Sequence, residues 1–437
     1  MNTLEVSLIN AMKEKMTLND RYLIISDPKD TENIIIVNLR TCGSSILSRT
    51  SWNLLKSKCL NQIDYKQMLH LLSSNVVSFK NTRTDVKQDS YFPKTIYWGI
   101  ANGCNMNCSY CYGAFGMNRI EYSMNWEDYC NTIEKLSKLG VKRVVITGGE
   151  PLLNPNVFKI ARQIKAQNMG CGILTNGKLI NESNVDEFSI FDYVKISLDS
   201  QFQEVNDEQR DQGNYHAVCR SVRLLRDKDI VVYLGTVITK KNVKDMGAFR
   251  EWANSFLDVQ KVHGSYFIPM GNGCNQIYLC TLEEMDTCDI QRLNYSITHK
   301  NSDPFEFEET INHPCVSCGL GMSEAFIDYK FDIFPCRMTY KKQYCAGNIL
   351  SSTPDDITMR LQSINLNCDV NHTSCKECDF QYLCGGGCRG NQEAFSGSLR
   401  QNDTGVCKRN IHHLCCAIAL KHHYELSQGF SYDIVPL

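Results

Sequence analysis

The chain has 437 residues, of which 43% are hydrophobic and 22% are charged, as in an ordinary globular enzyme of two or three domains. Its net charge of -2, without any long basic stretch, excludes the basic face that nucleic-acid binding requires. The N-terminus lacks a signal-peptide core, and no run reaches the roughly 18 apolar residues of a membrane span. We therefore expect a cytoplasmic protein without a nucleic-acid or membrane partner.

The first predicted elements are three short strands at residues 21–26, 33–39 and 44–49, followed by two helical patterns, SWNLLKSK and YKQMLHLLSS. They predict a β-then-α module, which we assign to residues 1–88. The polar stretch Asn81–Ser90 has the composition of a linker.

From Lys94 onward, strands alternate with amphipathic helices, which predicts a parallel sheet or barrel over residues 89–300. In such folds, reactive residues lie at the carboxyl ends of the strands. Beyond about Ile311 the alternation stops and short segments between cysteines take over. We expect this last domain, residues 301–437, to be held by metal rather than by a hydrophobic core. The candidate barrel strands are KTIYWGI, RVVITG, CGILTN, YVKISL, IVVYLGTVI and KVHGSYFIP.

Cysteine is unusually frequent, with 23 residues concentrated in the C-terminal third and near Cys104. Because the cytosol keeps thiols reduced, metal ligation explains them better than disulfides. Cysteines without a ligand spacing are expected to pack as small hydrophobes, among them Cys415 and Cys416 in an apolar helical run next to His412 and His413.

A loop after the first barrel strand reads GCNMNCSYCYG and spaces Cys104, Cys108 and Cys111 as CxxxCxxC. Three thiolates on one tight loop can bind three irons of a four-iron cluster and leave the fourth iron open to a small molecule. A zinc site is the alternative, although zinc loops usually supply paired CxxC arms.

This loop resembles the CxxxCxΦC motif of the radical S-adenosylmethionine (SAM) superfamily, with Tyr110 as the aromatic residue. The resemblance implies a partial (β/α)6 TIM-like barrel and a [4Fe-4S] cluster whose open iron binds the methionine moiety of SAM. It also implies reductive cleavage to a 5′-deoxyadenosyl radical that abstracts hydrogen from the substrate.

Three further strand ends resemble cofactor-binding segments of the same superfamily. RVVITGGEPLL is similar to the GGEP motif that contacts the methionine amino group, ILTNG to the TNG segment, and KISLDS to the SLDG segment. A helix-capping role for the polar residues is the alternative. The implied SAM contacts are Tyr110, Thr147, Gly148, Gly149, Glu150, Thr175, Asn176 and Ser197, with Arg210 as a partner of the cofactor carboxylate or a surface residue.

The C-terminal cysteines resemble the auxiliary-cluster extension called the SPASM domain, which implies two more [4Fe-4S] clusters. The first would use Cys318, Cys336 and Cys388, with Cys315 as fourth ligand unless that iron is left open. The second would use Cys375, Cys378, Cys384 and Cys407. One departure is Phe331, which stands where the SPASM pattern has Gly and which puts the local turn geometry in question.

The N-terminal module resembles the winged-helix element with which maturases of ribosomally made peptides bind a leader peptide as an added strand. We therefore expect a peptide maturase of the sactipeptide or ranthipeptide type that forms a cysteine thioether in a precursor peptide. It would draw electrons from flavodoxin or ferredoxin. The alternatives are carbon-carbon cross-linking, a sulfatase-type maturase, and a non-catalytic electron carrier or zinc protein.

Overall fold

The computed structural model describes residues 20–57, 62–63, 65–77, 92–115, 120–259, 261–274, 276–299 and 314–436. The predicted linker Asn81–Ser90 and both predicted domain boundaries, at 88/89 and 300/301, lie outside the described residues.

An antiparallel sheet opens the chain, with strands β1 (Arg21–Ser26), β2 (Asn33–Asn38) and β3 (Ser44–Ser48). Two helices follow, α1 (Arg49–Lys56) and α2 (Tyr65–Ser73). Helix α1 begins directly after β3 because the Ser48 hydroxyl accepts a hydrogen bond of 3.1 Å from the Ser51 N–H. The predicted β-then-α order is confirmed.

A fourth strand, absent from the sequence prediction, comes from the far end of the chain. Strand β13 (Ser431–Pro436) pairs antiparallel with β1, which gives the sheet order β13-β1-β2-β3. The N-terminal module is therefore built partly from C-terminal residues, and one edge of its sheet is already covered.

The six predicted barrel strands form a continuous parallel run in chain order, from β4 to β9. Most are linked by helices, as βαβ connections require. The predicted α/β partial barrel is confirmed. Its strands are β4 (Thr95–Gly99), β5 (Arg143–Thr147), β6 (Gly170–Thr175), β7 (Tyr193–Ser197), β8 (Val232–Ile238) and β9 (Val262–Tyr266). Its helices are α3 (Trp126–Lys138), α4 (Val157–Ala166), α5 (Gln203–Gln209), α6 (Asn214–Arg226), α7 (Met246–Leu257) and α8 (Leu282–Thr298).

Alternate residues along the barrel strands have different surroundings. On β8, Val232, Leu234 and Ile238 are buried, whereas Tyr233 and Val237 retain solvent access. The buried set packs in one core cluster with the helices, so the accessible set faces the barrel interior. The inward-facing positions are thus part-exposed and not part of that core, and we call the space that they line the chamber. Its accessible inward-facing residues include Tyr97, Tyr193, Lys195, Ser197, Tyr233, His263 and Glu324.

The C-terminal region extends the barrel sheet beyond β4. Strand β10 (Glu324–Ile327) pairs parallel with β4, and β11 (Asp332–Phe334) and β12 (Gly347–Asn348) continue antiparallel. The remaining elements are the helices α9 (Pro354–Asn367), α10 (Gln381–Cys384), α11 (Arg389–Ser396) and α12 (Thr404–Lys421).

Helix α12 corrects one expectation about this region. Its residues from Leu414 to Leu420 are buried in a cluster that also contains Leu23 and Val37 of the N-terminal sheet and Leu293 of α8. The expectation that metal rather than a hydrophobic core holds the C-terminal domain is therefore wrong for this helix. The sheet of the N-terminal module is buried on both faces, because its other face packs against α1 and α2. No helix among the described residues is both long enough and apolar enough to cross a membrane.

Candidate functional site

The CxxxCxxC loop follows β4 at the carboxyl end of the barrel strands and is anchored from two sides. The backbone N–H and hydroxyl of Ser109 both donate to the Gln209 carbonyl at the end of α5, at 3.0 and 2.9 Å. The Asn272 amide donates to the Cys108 carbonyl at 3.1 Å. These anchors hold the loop over the chamber.

The three thiols of this loop lie within electrostatic range of one another. Burial raises the pKa of Cys104 to about 11 and that of Cys108 to about 12, and the neighbouring sulfur of Cys111 adds to both shifts. Thiols that converge in a desolvated loop bind iron as thiolates and release their protons when they do. The donor set therefore fits three irons of a cluster. No three His, Cys, Asp or Glu side chains among the described residues are placed to hold a single metal ion.

Two glycines let the end of β5 dock against the cysteine loop. A Cβ at Gly149 would lie 1.9 Å from the Gly103 carbonyl oxygen, and one at Gly148 would lie 2.4 Å from that of Ala101. Because no Cβ is present, the Gly149 N–H can donate to the Ala101 carbonyl and the Glu150 N–H to the Gly103 carbonyl, each at 3.0 Å. The glycines were expected to admit a ligand to the backbone; the close approach that the structure contains is by the loop itself.

Glu150 is fully buried beside that loop. Its carboxylate accepts hydrogen bonds from the Thr175 hydroxyl at 2.7 Å, the Asn176 N–H at 2.8 Å and the Leu152 N–H at 3.1 Å. Burial raises the pKa of Glu150 to about 7 against these bonds, which lower it. A carboxylate held in this way can meet an ammonium group without rearranging.

The Asn176 side chain connects the end of β6 to the first cysteine. Its amide donates to the Asn105 side-chain oxygen at 2.7 Å and contacts the Cys104 sulfur at 3.6 Å. Thr147 is buried at the end of β5, where its carbonyl accepts from the Ile100 N–H at 3.0 Å. The structure thus brings the predicted residues of β5 and β6 together around one end of the loop.

Tyr110 and Arg210 both bind the carboxylate of Asp199. The Tyr110 hydroxyl donates to Asp199, and the Arg210 guanidinium pairs with the same carboxylate at 2.8 Å. Arg210 is buried, so the alternative of a surface arginine is wrong. Its contact with the SAM carboxylate stays a prediction. The sequence identified Asp199 only as a polar residue after β7; its role as the shared partner depends on the fold.

Ser197 faces the chamber from the end of β7, and its hydroxyl makes no hydrogen bond to any residue in the described part of the chain. It remains a predicted SAM contact. The second half of the site lies in the C-terminal region.

The C-terminal cysteines lie within electrostatic range of one another, and their division between two auxiliary clusters stays a prediction. Beyond burial, the pKa of Cys388 is raised by Cys318, and that of Cys336 by Glu324 and Cys388. Burial is likewise the main cause of the raised pKa of Cys384, followed by its neighbours Cys375, Cys407, Cys315 and Cys378.

Cys315 lies near both Cys318 and Cys384. Its pKa is raised to about 11 by burial and then by Cys318, while its sulfur is 3.5 Å from the Tyr382 carbonyl. Its ligation of the first auxiliary cluster stays a prediction.

Cys375 differs from its neighbours because its pKa is lowered. Burial alone would raise it, but hydrogen bonds from the Thr373 hydroxyl, the Asn402 amide and the buried Arg389 guanidinium reverse the shift. Sequence spacing gave no signal for Arg389 or Asn402.

The unassigned residues of α12 are structural. Cys415 and Cys416 are fully buried in the core, as predicted. His412 pairs with Asp286 at 3.1 Å and His413 with Asp289 at 3.2 Å.

Residues 98–253 match the model of the Radical SAM superfamily. The AdoMet-dependent heme synthase of Methanosarcina barkeri is 25% identical over 204 residues, which are 46% of this chain and 56% of the synthase. The chain thus spans just over half of that relative. The antilisterial bacteriocin subtilosin biosynthesis protein AlbA of Bacillus subtilis is 24% identical over 344 residues, 75% of this chain and 74% of AlbA.

Two solved structures have a similar fold. SuiB of Streptococcus suis bound to S-adenosylmethionine superimposes with a TM-score of 0.58 at 14% identity and covers 90% of this chain and 99% of SuiB. SuiB is also known bound to the precursor peptide SuiA. The anSMEcpe structure with bound AdoMet has a TM-score of 0.62 at 16% identity and covers 76% of this chain and 98% of its own.

Proposed function

Because this chain belongs to the radical SAM superfamily, whose members use SAM and a [4Fe-4S] cluster, we propose that it is a maturase of a ribosomally made precursor peptide. The observation that carries the proposal is the part-exposed lining of the chamber beneath the cysteine loop, in a chain whose N-terminal sheet has one edge that no described strand covers. A core peptide would enter the chamber while its leader is held on the sheet.

The sheet edge that would take the leader is β3. Strand β13 covers the β1 edge, whereas β3 pairs only with β2 among the described residues. Ile46 on β3 is 38% exposed although it lies beside the buried Ile35 of β2. Strand addition there would satisfy the backbone groups of the edge with little demand on leader sequence.

When bound, SAM and the reduced cluster supply a 5′-deoxyadenosyl radical that takes a hydrogen atom from the substrate. Cys104, Cys108 and Cys111 would hold that cluster. Glu150 would receive the methionine ammonium group, with Asn176 and the Thr175 hydroxyl fixing the carboxylate in place. Ser197 would add a hydroxyl from the end of the neighbouring strand β7, and Asp199 would hold Arg210 next to Tyr110 of the loop.

The cross-link that we propose is a thioether from a substrate cysteine. A C–H and an S–H bond are replaced by one C–S bond, so a hydrogen atom leaves from carbon while a proton and an electron leave from sulfur. An auxiliary cluster can take the electron, since the potentials of such clusters span a wide range. Cys318, Cys336, Cys388 and Cys315 would hold one auxiliary cluster, and Cys375, Cys378, Cys384 and Cys407 the other. Flavodoxin or ferredoxin would reduce the radical cluster.

The likeness to AlbA and to SuiB supports a peptide substrate. AlbA is named for the biosynthesis of subtilosin, and SuiB binds a precursor peptide. The SuiB likeness also extends over more of this chain than the anSMEcpe likeness, 90% against 76%. A sulfatase-type maturase, which usually lacks the N-terminal module, is therefore the weaker alternative.

The test is co-expression with the short open reading frames that flank the gene, followed by anaerobic turnover with SAM and dithionite. We expect 5′-deoxyadenosine and a peptide that has lost two hydrogens and one iodoacetamide-reactive thiol. Loss of two hydrogens with all thiols still reactive would indicate a carbon-carbon bond. Absence of 5′-deoxyadenosine would overturn the proposal.

The leader-binding edge requires point variants and not a deletion. Removing the N-terminal module would strip β13 of its partner and expose the apolar face that packs on α12. We expect Ile46→Lys to weaken precursor binding at least fivefold. Leu366→Lys, at a residue 49% exposed on α9, is the matched control and should leave binding unchanged. Equal binding by both variants would argue against the β3 edge.

A further inference from the structure

Arg337 places a cation in the chamber beside Tyr97 of β4. It follows Cys336 directly, and the register explains its position. Strand β10 runs parallel to β4 with Glu324 opposite Thr95, the first residue of β4, and β11 returns antiparallel with Phe334 opposite Phe326. The chain after β11 therefore returns to the amino end of the barrel strands.

The guanidinium of Arg337 points into the chamber. Its carbon lies 4.6 Å from the ring centroid of Tyr97. Tyr97 faces inward, since its neighbours Ile96 and Trp98 belong to the buried cluster under the helices. The other groups that act on Arg337 electrostatically are Tyr112 of the cysteine loop, Glu324 and Cys336.

Arg337 is half-buried but its donors are unused. Among the residues that the structure describes, none accepts a hydrogen bond from its guanidinium and none forms an ion pair with it within 4.0 Å. Two other arginines of the chain are held by acceptors, Arg210 by Asp199 and Arg389 by the Leu399 carbonyl. A guanidinium presents five N–H donors in a planar fork that matches a carboxylate.

We propose that Arg337 binds a carboxylate of the core peptide in the chamber beside Tyr97 and so selects a substrate with an acidic group near the modified residue. This inference rests on the proposed function, because it names the chemistry of the peptide that the same chamber receives. The carboxylate can be an Asp or Glu side chain or the peptide C-terminus. Tyr97 stacks on one face of the guanidinium and leaves its N–H edges free for that partner.

The role is specific to this position. Lys195 also faces the chamber, from β7, and Glu324 contributes one negative charge near Cys336. A core peptide that carries an acidic residue would pair with the Arg337 guanidinium, whereas a basic one would be repelled by it. Arg337 is therefore a specificity-determining residue and not a redox ligand.

The test uses SAM-loaded, anaerobically reconstituted enzyme without reductant, so that binding is measured without turnover. The probe is a library of twelve-residue peptides, acetylated and amidated, with six central positions randomised over Asp, Asn, Lys, Gln, Gly and Ser. Peptides that co-elute with the enzyme are sequenced by mass spectrometry. A second library lacks Asp and has a free C-terminal carboxylate, which distinguishes the two sources of the charge.

We expect the wild-type enzyme to enrich Asp over Asn at least threefold, or the free C-terminus over its amide. Arg337→Gln should abolish the enrichment, Arg337→Lys should keep part of it, and Arg337→Glu should shift it toward Lys. Arg360→Gln removes an exposed charge from α9 of the same region and should behave as wild type. Equal recovery of Asp and Asn together with equal recovery of both C-termini, or an enrichment that survives Arg337→Gln, would overturn the inference.

Iron content and the electron paramagnetic resonance spectrum of each variant separate loss of binding from damage at Cys336. A shift of preference toward Lys in Arg337→Glu cannot come from a merely structural defect. Precursor cross-linking is scored separately in the wild type. Cross-linking without a carboxylate preference would sink this inference alone, and a preference without cross-linking would sink the proposed function alone.

Discussion

Asp199 and Arg210 form an ion pair of 2.8 Å whose side chains are 0% and 7% exposed, and the same carboxylate accepts the Tyr110 hydroxyl. The Val237 N–H also donates to Asp199 at 2.9 Å. One carboxylate therefore joins the cysteine loop, helix α5 and strand β8. Because the pair is closed to water, losing one partner leaves an uncompensated charge in the interior.

We expect Asp199→Ala to lower the free energy of unfolding by ~3–5 kcal/mol, the usual cost of breaking a buried pair. Urea denaturation measures it. The matched control is Glu134→Gln, which breaks the solvent-exposed pair with Lys138 on α3 and should leave the free energy of unfolding essentially unchanged. Equal effects of the two substitutions would contradict the role given to Asp199.

Gly149 should tolerate no side chain. A Cβ there would lie 1.9 Å from the Gly103 carbonyl oxygen, so Gly149→Ala must push the cysteine loop away from β5. We expect reconstituted Gly149→Ala to lose about four irons per chain, the content of one such cluster, and to produce no 5′-deoxyadenosine. Gly247→Ala on α7 is the control, because its Cβ meets only the Gln291 side chain at 3.5 Å. Full iron content in Gly149→Ala would refute this steric argument.

Phe331 combines favourable packing with backbone strain. Its φ of 68° is in the left-handed region, yet its ring is buried against Tyr129 and Trp98, with centroids 5.6 and 6.1 Å apart. This backbone conformation explains why the SPASM pattern has Gly at the position. Truncation to Ala should cost ~3–5 kcal/mol through the lost ring.

Phe331→Gly should be more stable than Phe331→Ala by about 1 kcal/mol, because Gly adopts positive φ without strain. Thermal melts of the two variants side by side provide the measurement. The reverse order would mean that the backbone relaxes out of the left-handed region when the ring is removed.

Glu150 gives the apoprotein a pH-dependent stability. Its pKa rises from 4.5 to about 7 on burial, so the folded state holds the proton more tightly than the unfolded state does. The cost of burying Glu150 is therefore smallest below pH 4.5, where the folded and the unfolded state both hold the proton. The free energy of unfolding falls as the pH rises and levels off above about pH 7, where the carboxylate is ionised in both states.

We expect the unfolding free energy of the apoprotein, relative to that of Glu150→Gln, to fall between about pH 5 and about pH 8. Urea denaturation across that range measures the difference, and the variant cancels the titration of the other groups. A difference that stays constant with pH would show that Glu150 keeps its ordinary pKa.

Local patterns in the sequence were sufficient for the barrel and the cysteine groups. Alternating strands and helices fix a parallel sheet because a parallel connection needs a crossover. The spacing of Cys104, Cys108 and Cys111 places three thiols on one loop whatever the surroundings are. Among the later cysteines, Cys318 lies near Cys388 and Cys375 near Cys384, while the cluster that each would bind stays a prediction.

Contacts between distant segments were beyond the reach of those patterns. Strand β13 is as short as many loops, and its partner β1 lies some 400 residues earlier, so no local signal connects them. The choice of β3 as the open edge follows from that pairing. The expectation that metal alone holds the C-terminal domain failed for the same reason, since the apolar face of α12 is completed by β1, β2 and α8.

The sequence by itself determined the chemistry of this protein, because thiol spacing and strand periodicity are properties of neighbouring residues. Only the tertiary structure decided which partner each buried charge has. It paired Arg210 with Asp199 and placed Arg337 over the Tyr97 ring with no acceptor among the described residues. Burial and electrostatic pairing depend on which distant segments meet in space, and that is settled when the chain folds.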